Sequence, residues 1–279
     1  MPITMAREFP LVSAKINGVS GVLMFDTGSK DALSLNDHAV VLEGGRTVGH
    51  GFFGSGQTFE VNAYPKVETV ELGGGLVFRD VSNVTGKDLS FMEKAIAPDF
   101  LGFLGFEFFR GYLLALDYKA LKLTFYRQTQ AREESKDYLE QEKVLAILPF
   151  ETRKLPNHPL VRISIGDVPF LATFDTGQEG MAYMSKSVED RLISKGIIAP
   201  AQSQEGPLYD ISAIKLTPAL DASLAQIRIA SDGFPAAEPL GIPETELLVL
   251  GYGFLRNHKT IWDFKGRKIF ILESPKDKP

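Results

Sequence analysis

The chain has 279 residues, of which 44% are apolar and 23% are charged, and its formal net charge at pH 7 is −5. This length and composition predict one large globular domain or two lobes of ordinary size, and they exclude a disordered, collagenous or coiled-coil protein. The absence of cysteine excludes disulfides, thiol catalysis and cysteine-based zinc sites. No apolar run has membrane-spanning length and no basic stripe suggests nucleic acid, so we expect neither partner.

The opening segment, MPITMAREFPLV, lacks the apolar core of a signal peptide. We therefore expect either a cytoplasmic protein or a mature form whose signal was removed, and the sequence leaves both open. The runs LVSAKI and VLMF follow, which are rich in branched residues and predict β-strands. The second run ends in Asp26, and burying a carboxylate there is costly unless it is paired or hydrogen-bonded.

A glycine-rich segment, GHGFFG at 49–54, fits the pattern G-x-G-x-x-G of dinucleotide-binding loops. That pattern needs a preceding buried parallel strand and a following helix. Here SGQTFEV follows, which predicts a strand, and no βαβ unit surrounds the segment. We therefore set dinucleotide binding aside.

Helices are predicted over 90–96 and 185–196 and in part of the charged segment 131–146, and the rest of the chain favours strands. YLLALDYKALKLTFY and TIWDFKGRKIFIL predict β-hairpins, with turns at Lys119-Ala120 and Lys265-Gly266. Asp117 and Asp263 recur beside these turns, where aspartate is an ordinary choice, so we interpret them as structural.

The chain repeats itself. FPLVSAKINGVSGVLMFDTGS at 9–29 aligns without a gap with HPLVRISIGDVPFLATFDTGQ at 158–178, at an offset of 149 residues. LGFEFFRGYLLALDYKALKLTFY at 104–126 aligns with LGYGFLRNHKTIWDFKGRKIFIL at 250–272, at an offset of 146. A single D-T-G is explained by a plain turn, but two at equivalent points of a repeat are not. The chain is therefore a tandem duplication.

With these motifs the sequence resembles the aspartic peptidases of the pepsin and retropepsin superfamily, and each half resembles a bacterial retropepsin-like domain. The resemblance rests on VLMFDTGS, GHGFFGSGQTFEV and GFLGFEFF in the first copy and on LATFDTGQ and LLVLGYGFL in the second. It implies an all-β, bilobal acid-protease fold, with two pseudo-twofold-related β lobes and the active-site cleft between them. We place the lobes at 1–127 and 148–279, joined by a charged linker at 128–147.

The resemblance identifies Asp26 and Asp175 as the catalytic pair. Two carboxylates held close together share one proton, and aspartic proteases are the standard instance of this behaviour. The ionised aspartate would activate a water, and the protonated one would polarise the scissile carbonyl. The implied protein is a monomeric aspartic endopeptidase that acts on peptides or proteins and needs no cofactor or metal. The alternative is a pseudopeptidase that binds extended peptides in the same cleft without hydrolysis.

The residues that follow the aspartates support each loop: Thr27, Gly28 and Ser29 in the first copy, and Thr176, Gly177 and Gln178 in the second. By resemblance, the threonines tie the two loops together, and the glycines permit a tight turn with N–H groups near the carboxylates. Leu104-Gly105 and Leu250-Gly251 would pack beside the loops. Ser29 can hydrogen-bond an oxygen of Asp26, whereas the longer Gln178 departs from the family's Ser, Thr or Ala. We therefore expect Asp26 to carry the charge more often.

The same resemblance places a flap over the substrate at Gly51, Phe52, Phe53 and Gly54. Glycines would make the hairpin flexible, and the two phenylalanines would cover an apolar substrate side chain. The plain alternative is an exposed turn with two partly buried aromatic rings. No metal-ligand spacing is present among the four histidines, His38, His50, His158 and His258.

Overall fold

The computed structural model describes residues 1–52, 58–200, 208–217, 220–229 and 237–273. Strands predominate in these ranges and the helices are short, so the predicted all-β class is confirmed. The strands are β1 Thr4–Ala6, β2 Phe9–Ile16, β3 Val19–Phe25, β4 Leu33–Asn36, β5 Arg46–Phe52, β6 Thr58–Tyr64, β7 Val67–Leu72, β8 Leu76–Val81, β9 Val84–Lys87, β10 Phe100–Leu104, β11 Tyr112–Asp117, β12 Lys122–Arg127, β13 Val144–Glu151, β14 Leu160–Ile165, β15 Val168–Phe174, β16 Ala182–Met184, β17 Leu208–Thr217, β18 Leu220–Ile229, β19 Leu247–Leu250, β20 Lys259–Asp263 and β21 Lys268–Leu272.

The helices are α1 Ser90–Ala95, α2 Phe106–Phe109, α3 Gln130–Ser135, α4 Lys186–Ser194, α5 Ala237–Leu240 and α6 Tyr252–Leu255, with 3₁₀ turns at Asp137–Leu139 and Glu244–Glu246. The helices predicted over 90–96, over 185–196 and within 131–146 correspond to α1, α4 and α3. Side-chain caps start two of them: Thr129 accepts a hydrogen bond from the Arg132 amide at the start of α3, and Ser185 accepts one from the Val188 amide at the start of α4. In the part of the chain that is described, no helix is long and apolar enough to cross a membrane.

The chain divides into two compact units. The first unit is Met1–Arg110 with Leu121–Leu123, and the second is Gly111–Ala120 with Thr124–Pro279. These limits differ from the sequence-derived lobes, because β11, most of β12 and the whole of 128–147 belong to the second unit. The physical reason is that β11 pairs antiparallel with β20, which comes much later in the chain. A pairing between strands so far apart in the chain produces no pattern in the local sequence.

The first unit contains one sheet, in which the described strands run in the order β5-β6-β9-β4-β10-β3-β2-β7-β8, with β1 added to β2. Strand β3 ends in Leu23, Met24 and Phe25, which are almost completely buried. It pairs antiparallel with β2 and parallel with β10. A strand covered on both faces reads as a continuous apolar run, which explains why VLMF shows no alternation.

The second unit repeats this topology. Its described strands run in the order β12-β11-β20-β21-β13-β14-β15-β19-β16-β18-β17. The central part β14-β15-β19-β16-β18 corresponds to β2-β3-β10-β4-β9 of the first unit. In both, an antiparallel hairpin is followed by a parallel, an antiparallel and a parallel pair. The duplication seen in the sequence is therefore also a duplication of strand order and direction.

In each of the two predicted hairpins, β11–β12 and β20–β21, an aspartate side chain holds the turn. The Ala120 amide donates to Asp117 Oδ1 at 2.9 Å, and the Gly266 amide donates to Asp263 Oδ1 at 2.7 Å. A carboxylate that accepts a nearby amide hydrogen fixes a turn. The structural interpretation of both aspartates is confirmed.

Candidate active site

The first D-T-G loop begins where β3 ends, at Phe25. The Asp26 amide donates to the Leu104 carbonyl of β10 at 3.1 Å, which continues the parallel β3–β10 ladder by one residue. The chain then turns: the Gly28 amide donates to Asp26 Oδ1 at 2.8 Å, and the Ser29 amide donates to the Asp26 carbonyl at 3.2 Å. Hydrogen bonds to an ionised carboxylate stabilise the charged form. The loop therefore offers a position where a partly exposed carboxylate is held in one orientation.

The second D-T-G loop has the same construction at the end of β15, after Phe174. The Asp175 amide donates to the Leu250 carbonyl of β19 at 3.0 Å. The Gly177 amide donates to Asp175 Oδ1 at 2.8 Å, and the Gln178 amide donates to the Asp175 carbonyl at 3.4 Å. The two motifs are thus equivalent in backbone hydrogen bonding as well as in sequence.

The threonines of the motifs are fully buried. Thr27 and Thr176 are both 0% exposed, whereas Asp26 and Asp175 are partly exposed. In each loop the threonine side chain is therefore buried, while the carboxylate beside it stays accessible. This burial fits the supporting role expected of the threonines, and the cross-lobe hydrogen bonds themselves stay a prediction.

A glycine after the neighbouring strand makes room for the first loop. The amide of Phe106, at the start of α2, donates to the Ser29 carbonyl at 2.9 Å. A Cβ atom at Gly105 would lie 2.3 Å from the Asp31 carbonyl oxygen and 2.7 Å from that of Ser29. Since Gly105 has extended backbone angles, glycine is required here for space and not for conformation.

The second loop uses the same device. The amide of Tyr252, at the start of α6, donates to the Gln178 carbonyl at 2.9 Å. A Cβ atom at Gly251 would lie 2.5 Å from the Gln178 carbonyl oxygen and 2.9 Å from that of Gly180. The prediction that Leu104-Gly105 and Leu250-Gly251 pack beside the loops is confirmed.

Aromatic rings support each loop from inside its own unit. The rings of Phe25 and Phe109 are 5.2 Å apart in the first unit, and those of Phe174 and Phe254 are 5.7 Å apart in the second. These tilted pairs join the end of the loop-bearing strand to the short helix that follows the partner strand. Loop, strand end and helix therefore form one packed group in each copy.

The copies differ beside the motif. In the second, the Gln178 side-chain amide donates to the Glu179 carbonyl at 3.2 Å. In the first, the carboxylate of Asp31 accepts a hydrogen bond from the Thr85 hydroxyl of β9 at 2.6 Å, and that hydroxyl also lies 3.3 Å from Ser34 Oγ. The sequence does not predict this polar group, because no local pattern places residue 85 beside residue 31.

A lysine also lies at the first loop and was not predicted. Lys87 Nζ lies 4.2 Å from the centre of the Phe59 ring and 5.3 Å from that of Phe103. Burial lowers the pKa of Lys87 to about 8, although the carboxylates of Asp26 and Asp31 act in the opposite direction. The first loop therefore has a cation near its aspartate.

The predicted flap falls partly on described residues. β5 and β6 pair antiparallel up to Phe52 opposite Thr58, and Gly51 lies in β5. A Cβ atom at Gly51 would overlap the Phe59 ring. Phe53 and Gly54 lie outside the described residues, so the flap stays a prediction. Among the described residues, no group of three or more histidines and carboxylates gathers to hold a metal ion.

No family model matches the chain, and no curated protein matches it. Among solved structures, it is similar to conglutin gamma, a unique basic 7S globulin from lupine seeds. The two are 11% identical, the match covers 98% of this chain and 94% of conglutin gamma, and the TM-score is 0.53. At this identity the likeness shows the fold alone: an all-β chain of two related units.

Proposed function

We propose that the protein is an aspartic endopeptidase whose catalytic pair is Asp26 and Asp175. The observation that carries the proposal is the equivalence of the two D-T-G loops. In each, the glycine amide donates to the aspartate Oδ1 at 2.8 Å, and the aspartate amide continues a parallel ladder. One such loop would be an ordinary turn, but an equivalent pair in a duplicated chain is what a symmetric two-carboxylate site needs.

In the proposed mechanism, Asp26 and Asp175 act as a pair that shares one proton. The ionised aspartate takes a proton from a bound water, and this water attacks the scissile carbonyl carbon. The other aspartate gives its proton to the carbonyl oxygen, which produces a tetrahedral intermediate. When the intermediate collapses and the C–N bond breaks, the aspartate that took the water proton gives it to the leaving nitrogen, and the other aspartate takes back a proton from a hydroxyl of the intermediate. Thr27 and Thr176 would hold the loops in register.

The test uses the two aspartates one at a time. Asp26→Asn and Asp175→Asn should each abolish cleavage of a mixed peptide library at every pH, while thermal unfolding stays close to that of the wild type. Asp167→Asn is the matched control, because Asp167 is an exposed residue between β14 and β15. Near-wild-type turnover in either active-site variant would contradict the shared-proton mechanism.

The second candidate is a pseudopeptidase that binds extended peptides without cleaving them. It is favoured by Gln178, whose side chain is longer than the Ser, Thr or Ala usual after D-T-G. The fold does not decide between the two, since a fold accommodates several functions, and the similar solved structure is described as a globulin. Saturable binding of library peptides by folded wild-type protein, with no cleavage at any pH, would favour this candidate.

A further inference from the structure

Lys87 occupies a defined position at the first D-T-G loop. It is the last residue of β9, which lies between β4 and β6 in the sheet. Thr85 and Lys87 are two residues apart on one strand, so their side chains share a face of the sheet. Thr85 donates to Asp31 at 2.6 Å, which places this face beside the segment that follows the motif.

Two aromatic rings hold the lysine ammonium. Phe59 comes from β6 and Phe103 from β10, and their ring centres lie 4.2 and 5.3 Å from Nζ. A cation near an aromatic face is stabilised by the ring quadrupole and keeps its position. Phe103 directly precedes Leu104, whose carbonyl accepts the Asp26 amide. The same strand therefore orients both the lysine and the aspartate.

The charged groups that face this ammonium are carboxylates. Asp26 and Asp31 both favour its protonated form, while burial opposes it, and the resulting pKa of Lys87 is about 8. Two neutral side chains also lie beside it, the rings of Phe59 from β6 and Phe103 from β10. Below neutral pH the lysine is mostly a cation.

The second copy has no lysine at the corresponding position. Ser34 of β4 pairs with Thr85, and Tyr183, at the repeat offset from Ser34, pairs with Arg228. Two residues beyond Arg228 the sequence has Ala230, which lies outside the described residues. The lysine is therefore particular to the first copy of the repeat.

We propose that Lys87 is a positioning residue of the site: its ammonium places the negative charge of the pair on Asp26 and leaves the shared proton on Asp175. The inference rests on the proposed function, because only a working pair shares a proton. It goes beyond the motif, since it assigns the placement of the charge to a residue outside the two D-T-G loops. A neighbouring cation lowers a carboxyl pKa by about 1 to 3 units, so Lys87 would also extend activity to lower pH.

The first experiment needs no peptidase activity. The Lys87 ammonium is titrated by NMR in the wild type, in Asp26→Asn and in the control Asp167→Asn. Removing the negative charge of Asp26 should lower the Lys87 pKa from about 8, by roughly one unit. The control should leave it unchanged. An unchanged value in Asp26→Asn would overturn the inference, because the two groups would then not be coupled.

The second experiment compares kcat/KM against pH for Lys87→Met, Lys87→Arg and Lys15→Met, a control at an exposed lysine of β2. Lys87→Met should move the acidic limb to higher pH by roughly one unit, because the ionised aspartate loses its cation. Lys87→Arg should restore the wild-type limb, and Lys15→Met should keep it. An unmoved limb in Lys87→Met, or an equal shift in Lys87→Arg, would overturn the inference.

The two experiments separate the inference from the function beneath it. Coupling of Lys87 to Asp26 without hydrolysis by any variant would contradict the peptidase and, with it, the shared proton, while the interaction between Lys87 and Asp26 would stand. Hydrolysis without coupling would support the peptidase and contradict the role proposed for Lys87. If Lys87→Met does not fold, the titration in Asp26→Asn still decides.

Discussion

At the scale of single residues, each D-T-G loop depends on a neighbouring glycine, whose lack of a side chain leaves room for the loop. Gly105 and Gly251 lie where any side chain would run into the carbonyl oxygens of the adjacent loop. Packed backbone cannot yield as a side-chain tip can, so an added methyl group must displace the loop itself. The orientation of each aspartate therefore depends on a glycine that carries no chemistry.

This dependence predicts the effect of Gly105→Ala. The new Cβ atom would meet the Asp31 carbonyl oxygen at 2.3 Å, so we expect a loss of stability of roughly 1–3 kcal/mol and a fall in peptide cleavage. Gly111→Ala is the control, since a Cβ atom at Gly111 would have no atom within 4 Å. Chemical unfolding and kcat/KM measure both. Equal stability of the two variants would show that the loop yields easily.

A second residue-scale prediction concerns His38, whose ring nitrogen lies 2.8 Å from Glu93 of α1. Their hydrogen bond raises the pKa of His38 above 6.5 and lowers the pKa of Glu93 below 4.5. The histidine contribution is lost as pH rises through its folded pKa, and the glutamate contribution is lost as pH falls through its own. The pair therefore stabilises the fold most between pH 4.5 and 6.5.

The measurement is the melting temperature of His38→Ala relative to the wild type across that pH range and above it. The difference should be greatest inside the range and should shrink at alkaline pH. His50→Ala, an exposed histidine of β5, serves as control. A difference that does not change with pH would mean that the ion pair contributes nothing.

The D-T-G motif could be predicted from the sequence because the repeat shows it twice, and Gly105 and Gly251 could be predicted because they keep a constant offset. Lys87 could not. A single lysine after a glycine forms no recognisable motif. Its position depends on contacts with Phe59 and Phe103, which belong to two other strands.

At the scale of elements, Lys259 attaches the segment after α3 to β20. It is 6% exposed, and its Nζ lies 2.8 Å from Glu140 and 2.9 Å from Glu142. Burial lowers the pKa of Lys259, but the hydrogen bonds to both glutamates outweigh this effect, so the net shift is upward. The segment that the sequence suggested as a linker is therefore attached to the second unit by charge.

Lys259→Met should lower the free energy of unfolding by roughly 1–2 kcal/mol, which is less than for a fully buried pair because the glutamates stay partly hydrated. Lys265→Met is the matched control. It removes an exposed lysine 3.2 Å from Glu133, and its loss should cost less than about 1 kcal/mol. Denaturant unfolding distinguishes them, and equal losses would contradict the stabilising role of Lys259.

Elements with strong local signals were predictable: α1, α3, α4 and the two hairpins have recognisable caps, turns or periodicity. The arms of the predicted flap, β5 and β6, also pair as expected of a hairpin. The second copy's middle portion matched poorly in sequence, and there β17 and β18 are two ten-residue strands. Pairing of such length depends on register between strands, which composition does not encode.

At the scale of the whole molecule, both aspartates belong to one chain, and this predicts how activity responds to concentration. Cleavage per mole of protein should stay constant through a wide dilution series, because no second chain is needed to supply a carboxylate. Light scattering on the same samples reports the mass of the species present. A second-order loss of activity on dilution would contradict a single-chain site.

The sequence predicted two related halves but placed their limits differently from the structure. A repeat ends where similarity ends, near residue 127, whereas a compact unit ends where contacts end, at Arg110. Contacts of β11 with β20 decide the difference, and they join residues from opposite copies of the repeat. Sequence similarity marks the limits of the duplicated segment, whereas strand pairing sets the limits of the compact unit.

Because β11 of the first copy pairs with β20 of the second, the chain can be cut between the copies, but each part then needs the other to complete its sheet. The strand β12 begins in the first unit, where Lys122 bridges Pro2, and ends in the second. A cut between residues 127 and 144 would leave β11 on the first fragment and its partner β20 on the second. Each fragment would then expose an edge that only the other can complete. We therefore expect the two halves to reassemble by strand complementation when they are expressed from separate genes.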